Sequence, residues 1–111
     1  METDTWRWLP MKSIKLMADY QCSPLWLTGT TGKGNVSFYE LPISEPLAAD
    51  LWQWADNFED TREGEFATPE AGRRFAETGE QLAKRLATEL GDEYVVSYFD
   101  YSTMQARLVT T

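Results

Sequence analysis

A chain of 111 residues with 42% hydrophobic and 25% charged side chains has the size of one ordinary domain, able to bury about two-thirds of the surface its unfolded form exposes. Its net charge of −8 argues against gripping a phosphate backbone as the main task. The absence of histidine excludes every Ser-His, Cys-His and His-metal arrangement. With 5 Trp, 5 Tyr and 5 Phe the chain is too aromatic for a disordered segment. No apolar run reaches the roughly 20 residues of a membrane helix. The single Cys22 has no internal disulfide partner, which favours a reducing compartment and a cytoplasmic protein.

Residues 1–10 (METDTWRWLP) place acids before their only arginine and lack a signal-peptide apolar stretch. Either Met11 is a second possible start, or these residues are a flexible arm carrying Trp6 and Trp8 that the fold does not need. The expected domain is 11–111. From Ser13 the pattern takes a period of two, with Ile14, Leu16, Ala18 and Tyr20 on one side and Lys15, Met17 and Asp19 on the other, as in a half-buried strand. Cys22-Ser23-Pro24 breaks it, and residues 25–28 form a second short strand. Residues 29–35 are a Gly-rich turn, and residues 36–41 resume the alternation, so the pair reads as a hairpin. The turn lacks the order G-x-x-x-x-G-K-[ST] and leads into no helix, so a phosphate loop is disfavoured.

Ser44 is a good N-cap for a first helix, with Glu45 and Pro46 in its first turn. Leu47, Leu51, Trp54, Ala55 and Phe58 recur at helical spacing and predict its buried stripe, with Trp52 at the margin and an end near Thr61 or Arg62. Thr68 and Pro69 open a second helix that Gly91 closes. Phe75, Gly79, Leu82 and Leu86 mark one face, and Gly79, costing about 1 kcal/mol against alanine, suggests close packing there. Glu80 with Lys84 and Gln81 with Arg85 stand at i,i+4. Residues 94–101 (YVVSYFDY) read as an interior strand apolar on both faces, and residues 104–109 as a last edge strand. Strands, two helices, then strands predict an α+β fold: a mainly antiparallel sheet of four to five strands with two helices packed on one face.

Reactive chemistry is thin. Cys22 has no imidazole to activate it. Glu59, Asp60, Glu63 and Glu65 offer oxygen ligands but lack the order of a calcium loop. The expectation is therefore no catalytic residue, no cofactor and no metal site.

Charge placement says more. Residues 45–68 carry seven acids against Arg62 alone, whereas residues 1–44 and 69–90 are each neutral and residues 91–111 carry −2. A solvated face that aids solubility would account for the acids alone. A single-sign cluster beside Trp52 and near Phe66 also suits a partner-binding patch. Trp52, Asp56, Glu59, Asp60, Glu63, Glu65 and Phe66 are the candidate partner-binding residues.

The runs MKSIKLMADYQCSPLW (11–26), ELPISEPLAADLWQWADNFEDT (40–61) and FAETGEQLAKRLATELGDEYVVSYFD (75–100) resemble small acidic bacterial proteins of toxin-immunity loci. These include the immunity proteins of contact-dependent growth inhibition systems. The likeness rests on strand patterns with LPxSxxLxxxLxxW and LAxxLxxELG, with no catalytic signature, and residues 1–10 lie outside it. It implies a class of function and transfers no site residue. The expected function is a non-enzymatic toxin inhibitor that neutralises a cognate protein toxin, a basic nuclease domain, by stoichiometric occlusion. Direct nucleic-acid binding and membrane binding are not expected, and the oligomeric state is open. An acidic nucleic-acid-mimicking regulator or adaptor is the alternative, and a small enzyme working through carboxylates is a third.

Overall fold

The structure, a computed structural model, describes residues 12–28, 34–62 and 65–109. Alternation builds the first strand, β1 (Lys12–Leu16), in which Ile14 and Leu16 are fully buried and Lys15 between them is half covered. It pairs antiparallel with β2 (Leu25–Thr28), which pairs antiparallel with β3 (Gly34–Val36). At the other end of the chain β4 (Tyr94–Asp100) and β5 (Gln105–Leu108) form a second antiparallel pair. β4 lies parallel to β1, with Val96 opposite Ile14 and Tyr98 opposite Leu16, so the sheet order is β3-β2-β1-β4-β5. Parallel neighbours need a long crossover, and the two helices between β3 and β4 supply it. The expected α+β fold with a mainly antiparallel sheet is present, with this one parallel pair at its centre.

The first helix, α1 (Glu45–Glu59), starts where the Ser44 hydroxyl accepts the Leu47 N–H at 3.2 Å. Its stripe of Leu47, Leu51, Trp54, Ala55 and Phe58 is buried as the spacing predicts. The second helix, α2 (Pro69–Leu90), starts where the Thr68 hydroxyl accepts the Ala71 N–H at 3.0 Å, and it ends at Gly91 in the left-handed region (φ 77°). Both helices cover the sheet face that carries Ile14, Leu16, Leu25, Val96 and Tyr98. Trp54 stacks on Phe75 at 4.5 Å between ring centroids and donates its indole N–H to the Phe75 carbonyl. The Tyr98 hydroxyl donates to the Ala76 carbonyl at 2.8 Å. Both rings press on Gly79, where an added Cβ would stand 2.6 Å from Trp54 Cζ2 and closer still to the Tyr98 hydroxyl. The helical glycine is the close-packing point its cost suggested.

Four elements and one side-chain pairing differ from expectation. β1 ends at Leu16 although its alternation runs on, because the chain turns through residues 17–24 to meet β2; Ala18 is nonetheless buried. The strand expected over residues 36–41 stops at Val36, and Phe38–Glu40 form a 3-10 turn. The Glu40 carboxylate accepts the Ser37 N–H at 2.8 Å there, a local bond that competes with the ladder. α1 ends at Glu59, with Asp60 as its cap, a little before the expected Thr61 or Arg62. Arg85 reaches across to Asp50 of α1 at 2.7 Å instead of pairing with Gln81. β4 is interior, as expected, but only Val96, Tyr98 and Asp100 are buried; Val95, Ser97 and Phe99 line the sheet face away from the helices and are half exposed. The expected arm at 1–10 lies outside the described residues.

Candidate functional site

The candidate surface begins with the side of α1 that its buried stripe leaves over. Trp52, Asp56 and Glu59 stand at i, i+4 and i+7, which stacks them along one strip of the helix. All three are exposed, Trp52 at 61%. A tryptophan this open is unusual, since its large apolar surface favours cover.

The turn of residues 17–24 closes over the C-terminal half of this strip. The Gln21 N–H donates to the Glu59 carboxylate. The Tyr20 ring packs on Phe58 at 4.8 Å, and its hydroxyl meets the Thr61 carbonyl at 3.1 Å. Gln21 takes a positive φ of 59°, a left-handed turn that the bond to Glu59 helps to hold. The result is a cleft of about 280 Å³ lined by Gln21, Cys22, Ser23, Ala55 and the three strip residues. Burial, and after it the nearby Asp19 and Glu59 carboxylates, push the Cys22 thiol pKa up, which keeps it protonated and poorly nucleophilic.

Asp60 caps the end of α1 one residue beyond Glu59 and is exposed. Among the described residues no cation stands within ion-pair distance of Asp56, Glu59 or Asp60, whereas Asp50 is matched by Arg85, and Glu80 and Asp100 by Arg107. The structure therefore brings Trp52, Asp56 and Glu59 together, with Asp60 following. It places Glu65 and Phe66 elsewhere. Their depression, about 550 Å³, is also lined by Arg73, Tyr101 and Ser102. Phe66 is half-buried with its ring 4.8 Å from Phe75 and 6.5 Å from Phe58, on the margin of the core. Glu65 exchanges backbone hydrogen bonds with Arg62. Glu63 lies outside the described residues.

On its other side Trp52 walls a second and larger concavity, about 760 Å³, between α1 and residues 38–45. Phe38 meets Trp52 edge-on at 6.0 Å, and the neighbouring Tyr39 is 97% exposed. Sequence reasoning missed this groove because it placed Phe38 and Tyr39 on a strand; the Ser37-to-Glu40 spacing was the signal that could have found the turn.

The described residues hold no group of three or more Cys, Asp or Glu side chains arranged to bind a metal ion. No helix among them is long and apolar enough to cross a membrane. The surface offers an acidic strip and exposed aromatics, which suit binding. A family model described as Serratia CdiI immunity protein-like matches residues 12–101. Comparison with curated proteins gives no match.

Proposed function

The chain belongs to the Serratia CdiI immunity protein-like family, and from that premise we propose that it binds a cognate contact-dependent growth inhibition toxin in the cytoplasm and neutralises it without catalysis. The toxin is a basic nuclease, held by stoichiometric occlusion of its active site or its nucleic-acid surface. One observation supports this reading above the rest: the carboxylates of Asp56, Glu59 and Asp60 crowd one end of α1, with no matching cation among the described residues. Like charges so grouped repel one another in the free protein. A basic partner relieves that repulsion, and nuclease domains need basic surfaces to hold phosphates.

Opposed fields of this kind speed encounter more than they tighten the final complex. The test uses a contact-dependent growth inhibition toxin domain recovered by pull-down from the native host with this chain as bait. Asp56 and Asp60 are the residues to change, since the Glu59 carboxylate also holds the Gln21 backbone. With Asp56→Lys and Asp60→Lys combined, stopped-flow association at low salt should slow about tenfold or more and converge on wild type as salt rises. An unchanged rate, with circular dichroism intact, removes this face from the interface. Failure of the wild-type chain to bind that domain, or to protect cells producing it, removes the function itself.

A further inference from the structure

The groove on the other side of Trp52 carries the argument further. Its walls are apolar: Phe38, Leu41 and Ile43 from the segment after β3, Ala48 and Ala49 from α1, and the Trp52 ring. Among the described residues, charge enters from Glu45 in its wall and from Glu40 beside Tyr39; both are exposed and acidic. Among the described residues no lysine or arginine lines it. Trp52 forms a wall of this groove and of the cleft holding Asp56 and Glu59, so an apolar depression and an acidic strip share one central aromatic.

We infer that this groove is the docking site for a segment of the toxin that presents an apolar anchor side chain flanked by lysine or arginine. The inference rests on the immunity reading above and commits it to a place. Exposed tryptophan and tyrosine at the centre of an interface are the residues that most often dominate binding energy. Here Trp52 and Tyr39 stand open, with Trp52 braced by the Phe38 edge so that little side-chain freedom is lost on binding. An aliphatic or aromatic anchor fills the space between α1 and residues 38–43. Its flanking cations meet Glu45 on the groove and Asp56 and Glu59 in the cleft across Trp52. An acidic or purely apolar partner segment would not satisfy that rim. The depression lined by Glu65 and Phe66 has Arg73 in its wall and does not match the same chemistry.

The test separates this groove from the acidic strip by kinetics. Trp52→Ala, Tyr39→Ala and Ala49→Arg each alter an exposed side chain, so circular dichroism and melting should match wild type. Ala49→Arg places bulk and a cation in the groove. Binding to the purified toxin domain recovered by that pull-down is followed by biolayer interferometry, with hydroxyl-radical footprinting of the complex. Trp52→Ala and Ala49→Arg are expected to raise the dissociation rate about 30-fold or more while association stays within about threefold. Trp52 and Tyr39 should be protected from labelling in the complex. Wild-type binding with all three variants within about threefold in affinity, and both aromatics labelled as in the free protein, overturns the groove and leaves the immunity function standing. Concentration-dependent dimerisation of the free protein that Ala49→Arg abolishes assigns the groove to a second copy instead, which also overturns it. Absence of wild-type binding overturns both readings.

Discussion

Replacing Gly79 with alanine sets two effects against each other, and the structure decides which wins. In an open helix the change would stabilise by about 1 kcal/mol through backbone entropy alone. Gly79 is instead enclosed, its missing Cβ facing the Trp54 ring at 2.6 Å and the Tyr98 hydroxyl nearer still. Forcing a methyl into that contact costs roughly 1–3 kcal/mol in overpacking. Displacing Tyr98 also strains its buried bond to the Ala76 carbonyl, at 2.8 Å, and losing it adds about 1–3 kcal/mol. After the helix gain, a net loss centred near 3 kcal/mol remains, or about 12 °C in melting midpoint at roughly 4 °C per kcal/mol. The hydroxyl is the nearest atom, so Gly79→Ala in a Tyr98→Phe background should cost at least about 1 kcal/mol less than in wild type. Urea unfolding of the four proteins measures this coupling. A Gly79→Ala chain as stable as wild type, or additivity between the two changes, would refute the close packing of α1, α2 and β4 at this point.

Two further stability predictions use the same core and its edge. Trp54→Ala and Leu82→Ala each remove a buried side chain and should cost about 2–5 kcal/mol in urea unfolding, with losses below about 1 kcal/mol showing the helix faces misassigned. Asp100 is 7% exposed. Burial works to raise its pKa, but hydrogen bonds from Ser102 and Arg107 prevail and hold the carboxyl below its usual range. Its folded pKa being depressed, its contribution to stability is complete above the unfolded value near 3.8 and is lost as pH falls through the folded value. The stability gap between wild type and Asp100→Asn should therefore be constant from about pH 8 to pH 5 and shrink below about pH 4; a gap independent of pH through that range would show the carboxylate is not engaged.

The parts legible in the sequence were those set by local rules. Ser44 and Thr68 caps, Pro46 and Pro69, and the spacing from Leu47 to Phe58 define the helices because capping and periodicity act within a few residues. Gly79 was legible because its cost needed a contact to explain it. The parallel pairing of β1 with β4 was not, since two strands with the same alternation carry no mark of direction; only the crossover through α1 and α2 fixes it. The pairing of Arg85 with Asp50 was hidden because the two stand 35 positions apart on different helices. At the candidate surface, helical spacing was enough to group Trp52, Asp56 and Glu59. Phe66, a few residues on, looked equivalent in composition, yet the turn between the helices carries it towards Phe58 and Phe75.

These placements bear on how one helix serves two demands. The face of α1 holding Leu47, Leu51, Trp54 and Phe58 is fixed by close packing, where a change of even one methylene is felt. The strip holding Trp52 and Asp56 lies outside the buried core, where Trp52 meets Phe38 edge-on and Glu59 accepts the Gln21 N–H. Side chains there can be exchanged for others of different charge and shape with effects on stability within about 0.5 kcal/mol. A protein that must match one partner and reject related ones needs such a surface, because specificity comes from altering contacts while the scaffold stays the same. Trp52 is the residue that tests this separation most directly. Mostly exposed and lining both concavities, it should be nearly silent in unfolding and dominant in toxin binding. A loss of stability on Trp52→Ala comparable to that of Trp54→Ala would mean that the strip is structural and that the two demands are not separated on α1.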